Sequence, residues 1–176
     1  MKVIETGIEG LKVIELQKFE DDRGFFMERF NTETFKKHNL NANLMQVNHS
    51  FSHRGVLRGL HFQTKPWQGK IVGCIGGNVL DVAVDIRPNS PTLGKHFSIE
   101  LNKPELMLYI PHGFAHGFEV LSETAHLLYF TDALYDKQSD GGIHYNSCGI
   151  KWQTKSLLLS EKDIKLPTLA EYLKTI

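Results

Sequence analysis

Residues 70–87 read KIVGCIGGNVLDVAVDIR, and their second half alternates: Leu80, Val82, Val84 and Ile86 fall on one side, Asp81, Ala83 and Asp85 on the other. A period of two puts successive side chains on opposite faces of an extended chain, so this stretch reads as a strand with one apolar face. KIVGCIG before it is a second strand, and Gly76-Gly77-Asn78 between them has the composition of a hairpin turn. Outward from this pair the same signal recurs. KVIELQKF and FFMERF flank the turn DDRG; NLMQVNHSFS and VLRGLHFQ come next; KHFSIEL, ELMLYI, HGFEVLS and AHLLYFTDAL follow after the loop RPNSPTLG. Helix is confined to the margins. NTETFKKHN offers Asn and Thr as N-caps, and SEKDIKLPTLAEYLKTI ends the chain, with Pro167 suited to the first turn of its last helix. Many strands, short connections and little helix specify an all-β sandwich or barrel. No repeat, low-complexity segment or linker interrupts the chain, which reads as a single domain over residues 1–176.

Lysine plus arginine number 20 and aspartate plus glutamate number 20, so the formal net charge is zero and the basic footprint of a nucleic-acid binder is missing. The two cysteines, Cys74 and Cys148, form neither a metal spacing nor a disulfide framework, as expected of reduced thiols in a cytoplasmic protein. MKVIETGIEG lacks the apolar core of a secretion signal, and no apolar run approaches the roughly 18 residues of a membrane span. The expectation is a soluble cytoplasmic protein with neither nucleic acid nor membrane as partner.

Two stretches carry histidine among apolar residues. In VLRGLHFQ (56–63), a regular strand would set Leu57, Gly59, His61 and Gln63 on one face and Arg58, Leu60 and Phe62 on the other. Gly59, lacking a side chain, is expected to leave room for an approach to the His61 imidazole. In PHGFAHGF (111–118), Pro111, Gly113 and His116 have the spacing P-x-G-x-x-H, which resembles the second motif of the cupin superfamily of jelly-roll barrels. Metal-binding cupins also carry a paired H-x-H, often with a glutamate, in their first motif. RGLHFQ has one histidine there, and a first-row metal wants three or four protein ligands. Despite nine histidines, no metal site is expected.

Together, VLRGLHFQ, QGK, DVAVDIRPNSPTLG and YIPHGFAHGFEVLSETAHLLYF, in this order, resemble the dTDP-4-dehydrorhamnose 3,5-epimerase family, and the likeness runs from KFEDDRGFF through GIKW to LSEKD. The resemblance implies an all-β, cupin-type jelly roll with short marginal helices, a homodimer, and no metal or organic cofactor. It implies a nucleotide-diphosphate 4-keto sugar as substrate, in cell-surface polysaccharide biosynthesis. A 4-keto group acidifies the hydrogens on carbons 3 and 5; removing one gives an enolate, and a proton returned to the opposite face inverts the centre. Such chemistry needs a base, an acid on the other face, and a cation or donor at the keto oxygen.

Carried onto this chain, the resemblance makes His61 the base, Asp163 in LSEKD its carboxylate partner, Lys70 the cation at the enolate, and Tyr129 in LLYF the proton donor. Imidazole, with an ordinary pKa of about 6.5, suits a base, and phenol, with one of about 10, holds its proton at neutral pH. Each residue also has an ordinary reading: His61 as a half-buried histidine beside a packing gap, Lys70 as a solvated turn lysine, Tyr129 as a barrel aromatic, Asp163 as a first-turn helix carboxylate. Arg23 and Arg58 are the diphosphate candidates, since guanidinium grips phosphate bidentately. Phe19, Phe26, Glu28, Gln46 and Asn48 fall in the family's nucleotide-contact stretches, which a neighbouring subunit completes in many members, and His116 resembles an inward-facing pocket histidine; Phe19 and Phe26 read at least as well as core residues. Arg58 and His61 have opposite parity in an ideal strand, so either a twist or bulge intervenes or Arg58 serves a site shared between subunits.

The family pattern after the tyrosine is commonly Y-K-x-T-x-Y-Y; here YFTDALY places Phe130 where a basic residue is usual and Leu134 where the first tyrosine of the pair stands. These departures leave open an epimerase of carbon 3 alone, acting on a dTDP-, CDP- or GDP-linked hexose or heptose. A non-catalytic sugar-binding jelly roll and a metal-dependent dioxygenase are the more distant alternatives.

Overall fold

The computed structural model describes residues 1–176. The strands are β1 (Lys2–Glu5), β2 (Lys12–Glu15), β3 (Lys18–Asp21), β4 (Gly24–Met27), β5 (Gln46–His53), β6 (Leu57–Gln63), β7 (Lys70–Gly76), β8 (Val79–Asp85), β9 (His96–Leu101), β10 (Leu106–Ile110), β11 (Phe114–Val120), β12 (Thr124–Thr131) and β13 (Asp140–Gly142). Three short helices are α1 (Thr32–Lys37), α2 (Glu161–Ile164) and α3 (Leu169–Tyr172). The first sheet has the order β1-β2-β10-β7-β12-β5 and the second β13-β6-β11-β8-β9, while β3 and β4 form a separate hairpin. All ladders are antiparallel. The two sheets face each other across Val13, Val72, Leu108 and Leu127 on one side and Val79, Ala83, Leu101 and Phe118 on the other. This is the cupin-type jelly-roll arrangement. No helix is long and apolar enough to cross a membrane.

The hairpin expected at Gly76-Gly77-Asn78 does not form. β7 pairs with β10 and β12, whereas β8 pairs with β11 and β9. The turn instead carries the chain from one sheet to the other, and its polar groups bind the connection after β11. Asn78 N–H donates to Ser122 Oγ at 2.7 Å, and Leu121 N–H donates to Asn78 O at 2.9 Å. Gly77 has φ of +91°, and a Cβ there would lie 2.2 Å from Thr124 O. Alternation in β8 reported its two faces correctly but could not say which sheet it joins. Leu80, Val82, Val84 and Ile86 pack behind the second sheet on Leu60, Phe62, Ile143 and Ile150. Asp81 and Ala83 face the interior, so all seven positions of the strand are buried.

The marginal helices follow their caps. Asn31 Oδ1 accepts from the N–H groups of Glu33 and Thr34 at 3.0 and 3.1 Å, starting α1, whose buried Phe35 packs with Ile14, Ile71 and Met107 behind the first sheet. The C-terminal segment forms two single turns. Thr168 caps α3 in a capping box with Glu171, so Pro167 stands one residue before the cap, not inside the first turn as expected.

Between β6 and β11 the register pairs His116 with His61 but Phe118 with Arg58. Three residues of β6 thus span two of β11, which is a β-bulge. Arg58 and His61 are thereby brought to the same face. Gly59 sits in the bulge with φ of +133°, and a Cβ there would lie 2.5 Å from Gly117 Cα and 2.9 Å from His116 O. The space expected beside His61 is therefore filled by the backbone of β11. Gly117 is the reciprocal case, since its Cβ would meet Arg58 O at 2.6 Å. Gly59→Ala combines a positive φ with a backbone clash and is expected to lower stability by roughly 2–5 kcal/mol in urea denaturation. Gly76→Ala, whose nearest neighbour would be His126 Cδ2 at 3.8 Å, is expected to change it by no more than about 1 kcal/mol. Equal losses in both variants would contradict the close crossing.

Candidate active site

A cavity of about 560 Å³ opens between the sheets, within the range of roughly 300–1,000 Å³ usual for small-molecule sites. The second sheet contributes Arg58 and His61 from β6 and His116 and Phe118 from β11. The first contributes Asn48 and Ser50 from β5, Lys70 from β7, and Tyr129 and Thr131 from β12. Thr131 pairs with Lys70 and Tyr129 with Asn48, so one inner face presents these four side chains together. A third wall comes from Leu158, Ser160, Lys162 and Asp163.

Asp163 reaches His61 although 102 residues separate them, because the segment before α2 is laid against the start of β6. Leu57 N–H donates to Leu158 O at 3.0 Å, and Leu158 N–H to Gly55 O at 2.8 Å. Ser160 then caps α2, its Oγ accepting from Asp163 N–H at 3.1 Å. The result is a hydrogen bond of 2.6 Å between His61 Nε2 and Asp163 Oδ1. Burial alone would raise the Asp163 pKa, but hydrogen bonds and charge from His61, and hydrogen bonds with Ser160 and the Gly59 N–H, hold it below the ordinary carboxylate value. Asp163 is thus anionic and places a proton on Nε2. Nδ1, which makes no hydrogen bond to protein, is left with the lone pair.

Across the cavity, the Tyr129 hydroxyl lies 2.9 Å from Ser50 Oγ. Burial pushes the Tyr129 phenol well above its ordinary pKa, with Ser50 opposing, so it keeps its proton at neutral pH. Lys70 is pushed down to about 8, by burial first, with the carboxylates of Asp140 and Asp81 opposing and Lys162 adding to the fall. Its Nζ donates only to His61 O, at 3.4 Å, which leaves the ammonium free for another acceptor. His116 is buried, and its Nε2 lies 3.1 and 3.0 Å from the two Asp81 oxygens. Arg58 Nε donates to Ser52 Oγ at 3.0 Å, at the cavity's edge.

Seven of the twelve site residues expected from the sequence line this cavity: His61, Lys70, Tyr129, Asp163, Arg58, Asn48 and His116. Gln46 lies beside it, donating to Asn48 Oδ1 at 2.8 Å. The other four stand elsewhere. Arg23 is at the tip of the β3–β4 hairpin, paired with Asp21 at 2.6 Å. Phe19 and Phe26 lie opposite each other on that hairpin, 59% and 71% exposed, and Glu28 follows it, accepting from Asn31 Nδ2 at 3.2 Å. Ser50, Thr131, Lys162 and Asp81 are site residues that sequence reasoning missed. Asp81 carried a signal, since a carboxylate on the inner face of a buried strand must find a partner. The two departures from the family pattern do not line the cavity. Phe130 packs on Phe30 behind the first sheet, with ring centroids 6.5 Å apart, and Leu134 is exposed.

No three histidine, cysteine, aspartate or glutamate side chains gather where they would hold a metal ion. The cavity offers instead an imidazole with an ionised partner on one wall, a protonated phenol on the other, and an ammonium among the side chains that line it. That set can take a proton from one face of a bound carbon and supply one to the other.

Residues 5–171 match the family model described as dTDP-4-dehydrorhamnose 3,5-epimerase. The chain is 48% identical to the dTDP-4-dehydrorhamnose 3,5-epimerase of Escherichia coli, covering 99% of this chain and 97% of that one. Its fold superposes on the solved dTDP-4-dehydrorhamnose 3,5-epimerase of Elizabethkingia anophelis with a TM-score of 0.91 at 44% identity, over 97% of each chain. A dTDP-6-deoxy-D-glucose-3,5-epimerase of Legionella pneumophila, solved in complex with dTDP-4-keto-L-rhamnose, superposes with a TM-score of 0.93 at 40% identity, over 96% of this chain and 93% of that one. With likeness of this extent added to the cavity's chemistry, the chain belongs to the dTDP-4-dehydrorhamnose 3,5-epimerase family.

Proposed function

We propose that this protein, as one domain over residues 1–176, inverts carbons 3 and 5 of a dTDP-linked 4-keto-6-deoxyhexose by enolate formation and reprotonation. The observation that carries this reading is the position of His61 and Tyr129 on opposite sheets lining one cavity. His61 Nδ1 takes the proton from the carbon next to the keto group, and the electron pair moves into the carbonyl to form the enolate. The Lys70 ammonium stabilises the oxygen as charge develops. Tyr129 O–H protonates the opposite face, leaving a phenolate that Ser50 can hydrogen-bond. The imidazolium and phenolate then exchange protons with water and are reset for the second carbon.

Arg58 at the edge of the cavity binds the diphosphate. Arg23, Phe19, Phe26 and Glu28 act in a homodimer in which the β3–β4 hairpin of one subunit completes the nucleotide end of its partner's cavity. The exposure of Phe19, Phe25 and Phe26 on that hairpin supports this reading, since large apolar side chains gather little stability in water. Phe130, packed on Phe30 behind the first sheet, gives no ground for restricting the reaction to carbon 3. The protein works in the cytoplasm, where its nucleotide-sugar substrate and reduced cysteines belong.

The reading is tested by incubating the protein with dTDP-4-keto-6-deoxyglucose in heavy water. Deuterium at both ring carbons is expected; exchange at carbon 3 alone, or at neither, would contradict it. His61→Ala and Asp163→Asn are expected to lower kcat by roughly 10²–10⁴-fold with dTDP affinity retained, measured by steady-state kinetics and calorimetry. Lys70→Ala is expected to lower kcat by roughly 10²–10³-fold. Because burial depresses the Lys70 pKa to about 8, the ammonium is lost as pH rises through that value, and kcat/KM is expected to fall on the alkaline side near pH 8. A profile flat beyond pH 9 would show that Lys70 is not the group responsible.

A further inference from the structure

Lys70 is the first residue of β7, and its long side chain is tethered by a single hydrogen bond of 3.4 Å. Strand ends fray first, and a half-buried ammonium gains hydration by swinging out. Immediately before it, the chain is clasped to the residues that follow β12. Gly69 N–H donates to Asp132 Oδ1 at 2.6 Å, Asp132 N–H to Gly69 O at 3.3 Å, and Gln68 Nε2 to Ala133 O at 2.9 Å. The other Asp132 oxygen accepts from Asn41 Nδ2 at 2.7 Å and lies 2.8 Å from His112 Nε2. A Cβ on Gly69 would fall 2.8 Å from Asp132 Oδ2, so the carboxylate is packed directly against this backbone. Thr131, the last residue of β12, lines the cavity and Asp132, in the bend after it, does not; the Asp132 carboxylate turns instead to Gly69, Asn41 and His112.

We propose that Asp132 is a positioning residue for epimerisation: by gripping the Gly69 amide it anchors the start of β7 and keeps the Lys70 ammonium at the cavity, while His112 and Asn41 hold its carboxylate in place. The inference rests on the reading of Lys70 as the enolate's cation. It explains why a nearly buried aspartate, its side chain 8% exposed, ties together four separate segments beside a catalytic group it does not touch.

The test is Asp132→Ala, with kcat, KM and the pH profile measured together. A displacement of about 1 Å can cost about 100-fold, so kcat is expected to fall roughly 10- to 100-fold with KM changed less than about threefold. The alkaline limb near pH 8, set by Lys70, is expected to move to higher pH as the ammonium gains water. Asp140, Asp81 and Lys162, which also act on Lys70, are untouched by the substitution. The sign is diagnostic, because removing the Asp132 charge by itself would move that limb downward. A limb that stays or moves down, or a loss of stability with kcat intact, would overturn the proposal. Should Asp132→Ala fail to fold, His112→Ala combined with Asn41→Ala strips two partners from an intact carboxylate. It must move the limb upward by a smaller amount, and an unmoved limb overturns the proposal equally. Activity retained in Lys70→Ala would instead remove the underlying reading of Lys70, whatever Asp132→Ala does.

Discussion

A single extra residue in β6 decides which side chains share the cavity. Without the bulge, Arg58 and His61 would point to opposite faces of the sheet, and one of them would be buried behind it against Leu60 and Phe62. The bulge is possible because two glycines, Gly59 and Gly117, cross at a distance no side chain would permit. Sequence and site are therefore joined at a backbone feature. The guanidinium at the cavity's edge and the imidazole on its wall are both placed by where β6 and β11 touch.

Burial then sets the protonation states on which the chemistry depends. It raises the Tyr129 phenol, so the acid stays protonated, and it lowers Lys70 to about 8, so the cation persists at neutral pH and is lost in mildly alkaline solution. Asp163 is buried too, yet hydrogen bonds from its neighbours outweigh desolvation and keep it ionised. One low-dielectric cavity thus yields a neutral acid, a marginal cation and a fixed anion, and the differences come from hydrogen-bonding partners. The marginal cation is the weakest of the three, which is why the anchoring of the chain before it matters.

The strands, the α1 cap and the all-β class were legible because each rests on local periodicity or side-chain-to-backbone hydrogen bonds. The turn at Gly76-Gly77-Asn78 was not: hairpins and sheet-to-sheet corners use the same residues, and only partners far along the chain distinguish them. The bulge was legible as a question, from the parity of Arg58 and His61, but its answer lay in β11. His61, Lys70, Tyr129 and Asp163 were legible only through the order of several motifs, since nothing local brings Asp163 to His61. The polar residues Ser50 and Asp81 escaped because their parity says which face they occupy and not what faces them. Arg23, Phe19 and Phe26 read as nucleotide contacts, yet they lie on an exposed hairpin apart from the cavity of their own chain.

The central claim is that base and acid stand on opposite walls and act separately, and Tyr129→Phe in heavy water tests it most directly. With the phenol gone and His61 intact, the substrate's ring hydrogens are expected to exchange with solvent while configuration is retained, because His61 returns deuterium to the face it deprotonated. Inversion continuing at the parent rate, or exchange disappearing together with inversion, would contradict the two-wall account.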